Sequence, residues 1–266
     1  MRINLKKIRK KKLKAVEKIE KQFKPEIYRA AALSAGTEFR SVEVNLQQAD
    51  QFPVLVELGG ALTPTLEVLE NIQPTRIARD LEAHGLHTAL VVTTDDLLLG
   101  GHPGWINLVK YHTQLPVIAR DFFFHPIQVY QARATGADAV IVDFRWVDDA
   151  TGLELVNAAF EMGMEPVVQV ESSHVPSGLD SEIIAAVIFS VSSEMPVEEV
   201  DATVQRFKKE WGERIPVIAE VHPENPALAA LARSGAVNGL LITPHLLASE
   251  NYIQRFAEIL DVVGTK

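Results

Sequence analysis

Nine polar side chains stand at or just past the ends of apolar runs. They are Glu57 in "VLVELGG", Arg120 in "PVIARD", Asp143 in "AVIVDF", Gln169 and Glu171 in "PVVQVES", Ser192 in "IFSVSS", Glu220 and His222 in "VIAEVHP", and His245 in "ITPHL". Buried carboxylates pass protons or hold cations, and an arginine fixes an anion. Glu220 and His222 are two residues apart, so on an extended strand they share a side. Carboxylates beside imidazoles suit Zn²⁺ or Mn²⁺, or a hydrolytic acid–base pair. No tight ligand spacing such as His-Glu-x-x-His supports a metal, so no metal or cofactor is expected. The plainer reading of this set is loop-capping and solvated polar groups.

The other candidates carry less. His102 in "GGHPGW" belongs to a turn, and His125, just before Pro126, opens a helix. His84 and His87 flank Gly85 at a helix end, while His112 and His174 read as surface or loop residues. Ser172 and Ser173 precede His174 without a nucleophile elbow. "TTDD", Thr93 to Asp96, follows an apolar run and is read as turn capping, with a substrate contact as the alternative. Asp121 is also read as a cap.

Bringing such groups together requires elements that end on one side. Four segments share a pattern of helical stretch, glycine and apolar run: "RDLEAHGLHTALVV", "QARATGADAVIV", "NAAFEMGMEPVVQV" and "ALARSGAVNGLLIT". Their glycines, Gly85, Gly136, Gly163 and Gly235, are 51, 27 and 72 residues apart, close to multiples of one strand–helix step. Strands are predicted at 53–58, 88–93, 115–120, 138–143, 166–170, 187–191, 216–220 and 238–243. Most are continuous apolar runs, as buried parallel strands are. Helices are predicted at 74–84, 104–112, 126–135, 149–162, 197–210, 224–234 and 249–262. Residues 172–185 make a poor helix because Pro176 and Gly178 lie inside them. Eight strands alternating with helices imply a closed (β/α)8 TIM barrel. An open doubly wound sheet is disfavoured, since no Gly-rich fingerprint follows the first strand. The expected organisation is a basic N-terminal helical extension at 1–48 and a barrel at 49–266.

The chain of 266 residues is 47% hydrophobic, enough for a large core, and has no cysteine. Disulfides, thiolate metal sites and a cysteine nucleophile are excluded. No apolar run reaches the ~18 residues of a membrane span. A reducing, cytoplasmic setting is expected.

Charge is unevenly placed. Residues 1–24 hold 11 Lys/Arg and two Glu, whereas the remainder holds 15 basic and 33 acidic residues. The acidic body disfavours nucleic acid. In the basic end Leu5, Ile8, Val16, Ile19 and Phe23 recur at helical spacing, and Lys12 interrupts the stripe. The expected form is an amphipathic helix docked on the body with its lysines solvated. Contact with a membrane surface or nucleic acid, and a cleaved targeting peptide, are the alternatives. The helix is the expected docking element for a protein partner or paralogue.

"LPVIARDFFFHPIQVYQARATGADAVIV" resembles the third-strand region of the indole-3-glycerol phosphate synthase family. "LLLGGHPGWINLVK", "MGMEPVVQVES" and "IPVIAEVHPENP" extend the resemblance over nearly the whole chain. It implies a TIM barrel with an N-terminal helical extension. The implied activity is indole ring closure in tryptophan biosynthesis, on a phosphorylated, ring-opened anthranilate derivative, with loss of carbon dioxide and water.

The catalytic positions depart from that pattern. The family's first-strand Glu-x-Lys is Glu57 and Gly59 here. Its third-strand lysine is Arg120, which keeps its proton with a pKa above ~12. Its fifth-strand glutamate is Gln169. Its sixth-strand Asn and Arg positions fall at Val191, Ser192 and Ser193, and its "ESG" becomes Glu220-Val221-His222. The glycine-led phosphate turn becomes Thr243-Pro244-His245, and "SPS" becomes Thr63-Pro64-Thr65. Proline removes a backbone donor, so a phosphate ligand is not expected. A positioned acid or base contributes roughly 10²–10⁴ in rate. The resemblance leaves Glu57, Arg120 and Glu220 as retained catalytic-rim positions, and Asp143, Gln169, Glu171, Ser192, His222 and His245 as ligand contacts. Three functions follow: a pseudoenzyme that binds a small molecule or a partner; an enzyme of different specificity using Glu57, Glu220, His222 and His245; or a residual synthase, a carboxy-lyase.

Overall fold

The computed structural model describes residues 5–22, 24–34, 38–48, 51–62, 67–69 and 72–264. Phe23 and the Thr63-Pro64-Thr65 turn lie outside these. The barrel strands are β1 (Val54–Leu58), β4 (Ala89–Thr93), β5 (Val117–Arg120), β6 (Ala139–Asp143), β7 (Glu165–Val170), β8 (Ala186–Ser190), β9 (Val217–Val221) and β10 (Gly239–Ile242). They close in the order β1-β10-β9-β8-β7-β6-β5-β4, with parallel neighbours throughout. All eight predicted strands are present. A short antiparallel pair, β2 (Ala61–Leu62) and β3 (Glu67–Val68), is an addition that the sequence reading lacked.

The outer helices are α4 (Pro74–Ala83), α5 (Gly104–His112), α6 (Pro126–Ala134), α7 (Asp149–Glu161), α8 (Val197–Trp211), α9 (Leu228–Ser234) and α10 (Tyr252–Gly264). A 3₁₀ turn, Pro244–Ala248, precedes α10. The predicted helix at 224–234 starts late, because Asn225 and Pro226 hold an initial turn in which the Asn225 side chain accepts from Ala227 N. No helix forms between β7 and β8, where Gly178 has φ +80°. The four repeat glycines all have positive φ, which frees each helix end to turn into its strand.

The barrel interior is layered. In a (β/α)8 barrel, alternate strands supply each layer of four side chains. Leu55, Ile118, Val167 and Ile218 form one such layer, and Val91, Ile141, Ile188 and Leu241 the next, all within one buried cluster. Ala89, Ala139 and Ala186 lie nearer the bottom with Gly239, where a Cβ would come within 2.9 Å of Ile218 Cδ1 and Pro53 O. The layer above these apolar ones is polar, and it forms the floor of the site.

The N-terminal segment folds as α1 (Leu5–Gln22), α2 (Pro25–Ser34) and α3 (Val42–Gln47). Val42 and Leu46 of α3 join the interior cluster from below. Glu165 accepts from Val42 N and Glu43 N at 2.6 and 3.1 Å. Asp138 accepts from Arg40 N at 2.9 Å and from Lys110 Nζ at 2.6 Å. Helix α1 lies over the opposite end, with Ile8 clustered against Leu99, Phe122 and Phe124.

Candidate functional site at the barrel rim

The strand pattern that stacks the apolar layers places Glu57 (β1), Arg120 (β5), Gln169 (β7) and Glu220 (β9) in one layer, again from alternate strands. The four close on one another. Arg120 Nη1 lies 2.7 Å from both Glu57 Oε2 and Glu220 Oε1, and Nη2 donates to Gln169 Oε1 at 3.0 Å. Gln169 Nε2 donates to Glu220 Oε2 at 2.9 Å. Thr93 donates to Glu57 Oε1 at 3.0 Å, and Ser190 to Glu220 Oε2 at 2.5 Å.

A second guanidinium sits above. Arg145 Nε and Nη2 grip Asp143 at 2.8 and 2.6 Å, Nη1 donates to Ser190 at 3.0 Å, and the group lies over the Trp146 ring. Sequence reasoning missed Arg145, Ser190 and Trp146. The signal for Arg145 was its place two residues after Asp143, where a tight turn returns its side chain to that carboxylate.

The charges explain two opposite shifts. Burial raises the Glu57 carboxyl above its usual range; Arg120 opposes this, but Glu220 adds to it. Burial also pushes Glu220 up, yet Arg120 and Arg145 together overcome it and hold Glu220 down to about 2. Arg120 itself is driven upward, because Glu220 and Glu57 outweigh its burial.

Above this floor is an open cavity of about 500 Å³. Asp143, Ser192, His222 and His245 border it, with Phe122, Trp146, Leu99 and Met195 as apolar wall. The two imidazoles face each other with ring centres 4.4 Å apart. His222 Nδ1 accepts from Glu224 N at 3.1 Å, which leaves its proton on Nε2. His245 Nδ1 pairs with Thr243 Oγ1 at 3.0 Å, and burial, with His222 beside it, lowers the His245 pKa.

Two expected ligand contacts are placed elsewhere. Gln169 is wholly buried in the layer below the cavity. Glu171 is exposed beyond the end of β7, in a turn where its carbonyl accepts from His174 N, because the strand stops at Val170. Glu57 and Glu220 turn to Arg120 rather than to the imidazoles. Among the described residues no group of three or more His, Asp or Glu side chains could hold a metal ion.

Asp95 and Asp121 are caps with a second partner. Asp95 accepts from Leu98 N and Leu99 N at 2.7 and 2.9 Å, and Asp121 from Phe122 N at 2.6 Å. Lys12 of α1 reaches both carboxylates, 2.8 Å from Asp95 Oδ1 and 2.5 Å from Asp121 Oδ1. Lys12 thus breaks the apolar stripe because the helix face it occupies lies over the buried Asp95 and the partly buried Asp121. It borders a separate cavity under α1, not the rim cavity. The space beside Gly59 is taken by Thr93 and Pro244: a Cβ there would lie 3.0 Å from Thr93 Oγ1 and 3.1 Å from Pro244 Cγ.

The sequence profile described as indole-3-glycerol phosphate synthase matches residues 5–252. The chain belongs to the indole-3-glycerol phosphate synthase family. An indole-3-glycerol phosphate synthase of Hyphomonas neptunium is 31% identical over 140 residues, 53% of this chain and 52% of that protein. The one of Aromatoleum aromaticum is 29% identical over 193 residues, 71% of this chain and 72% of that protein. The matched stretch thus spans about half of the first relative. Among solved structures, a tryptophan synthase alpha chain from Legionella pneumophila superposes with a TM-score of 0.60 over 84% of this chain and 95% of that chain. At 12% identity this likeness shows the fold alone.

Proposed function

We propose that this chain is a family member that has given up indole ring closure and keeps its rim cavity to hold a small molecule, as a pseudoenzyme or ligand-binding protein. The observation that carries this reading is the closed layer of Glu57, Arg120, Gln169 and Glu220. A guanidinium held by two carboxylates has no proton to give near neutrality, and an amide cannot exchange one at a useful pKa. Asp143, Ser192, His222 and His245 are the proposed ligand contacts, since they border the cavity.

The test is fluorescence detection of indoleglycerol phosphate formed from the ring-opened phosphorylated precursor. The expected result is no turnover above the uncatalysed rate. Turnover at the level of a working synthase overturns the reading and restores the synthase assignment.

A second reading, an enzyme of different specificity, draws on the His222–His245 pair beside the cavity. Because Glu57 and Glu220 are committed to Arg120, such an enzyme rests on the imidazoles for proton transfer. A hydrolase screen with non-phosphorylated esters and lactones tests it: activity abolished by His245→Gln and by His222→Gln favours it over a pure binding role.

A further inference from the structure

Helix α1 carries a strongly basic face beside the residues that seat it. Ile8 and Val16 are buried and Lys12 is tied to Asp95 and Asp121, so these residues seat the helix. The opposite face carries Lys6, Lys10, Lys14 and Lys18 at i,i+4 spacing, flanked by Lys11 and Lys21, all exposed. None of these six has an ion pair or hydrogen bond within the described residues. Like charges at i,i+4 weaken a helix, so the ladder works against the element that bears it. From Lys6 to Lys18 it runs about 18 Å along the helix axis.

We propose that this lysine face docks the protein on an anionic phospholipid surface. Protein interfaces are depleted in lysine and anchored by tryptophan, tyrosine and arginine. The outward face has none of these, and Arg9 leans over the Phe124 ring, 5.8 Å from its centre. Single-stranded nucleic acid needs aromatic platforms, which α1 also lacks. A duplex continues past the ladder onto a body with 15 basic and 33 acidic residues, which repels phosphate. A flat layer of headgroups asks only for point charges along a ridge, and lysine supplies them. Salt screens the acidic body beyond about 8 Å. With the apolar side of α1 turned inward, contact stays at headgroup depth and is electrostatic throughout.

The experiment is co-sedimentation of the full chain with phosphatidylcholine vesicles, with or without about one-third phosphatidylserine. Binding is expected only to the phosphatidylserine vesicles, and is lost at about 0.5 M salt. The triple variant Lys10→Gln, Lys14→Gln, Lys18→Gln keeps strong helix formers, and its fold is checked by circular dichroism. Its partition coefficient is expected to fall about a hundredfold, about fivefold for each lysine. Equal binding to both vesicle types, unchanged binding by the folded triple variant, or binding to duplex DNA with none to vesicles each overturns the proposal.

Discussion

Arg120 and Glu220 meet at 2.7 Å across the barrel, from strands β5 and β9 that stand diametrically opposite in the closed order. The contact spans the barrel, and Glu57 and Gln169 complete it from the other diameter. The four side chains thus form a hydrogen-bonded ionic layer that caps the apolar interior and floors the rim cavity.

Removing the guanidinium should therefore be costly. Arg120→Met leaves Glu57 and Glu220 buried without their shared cation. Loss of one partner of a buried ion pair costs roughly 3–5 kcal/mol. Denaturant unfolding should show a loss of that size at neutral pH, smaller where acid protonates the carboxyls. Arg120→Lys should recover only part of it, since one ammonium cannot match the fork that serves both glutamates and Gln169.

Acid sensitivity should trace to Glu220. Its folded pKa, about 2, lies below the ordinary 4.5. A depressed carboxyl contributes stability that is present above the unfolded pKa and disappears as pH falls through the folded one. The shift corresponds to about 3 kcal/mol, lost between roughly pH 4.5 and 2. Glu57 works in the opposite sense, since its raised pKa favours the protonated form on folding. Urea midpoints against pH should fall through that window in the wild type, and Glu220→Gln should flatten the fall while Glu57→Gln should not.

Placing a lysine at position 59 should fail sterically before it fails chemically. Gly59→Ala already brings a Cβ to 3.0 Å from Thr93 Oγ1 and 3.1 Å from Pro244 Cγ. Overpacking of this kind costs typically about 1–3 kcal/mol. Gly59→Lys should lower the melting temperature without creating synthase turnover, and adding Pro244→Gly should recover part of the stability.

The Lys12 anchor should control α1 alone. Lys12→Met strips both Asp95 and Asp121 of their cation. Because α1 joins the barrel through a small cluster, the cost should appear as local undocking. Hydrogen exchange should speed up along residues 5–22 and leave the barrel strands unchanged.

The eight strands and the outer helices were legible because buried parallel strands read as unbroken apolar runs and each repeat glycine marked a helix end. Ile8 and Val16 were legible as the seat of α1 for the same reason: helical periodicity records the buried face. Glu171 was misplaced because strand alternation carries a side chain to the rim only while the strand lasts, and β7 ends one residue earlier. Arg145 escaped notice because a turn residue has no periodicity to betray its direction.

By itself the sequence determined which residue types stand at the strand ends, among them an arginine and a glutamine that exchange no proton near neutrality, and that positive charge gathers in one helix. Only the tertiary structure decided that Glu57, Arg120, Gln169 and Glu220 share a layer, and that Lys12 lies between two acids. The physical reason is that composition and period are local properties, whereas a layer belongs to the closure of the barrel. Residues 51 or 63 positions apart become hydrogen-bond partners only when four alternate strands bring them to one height.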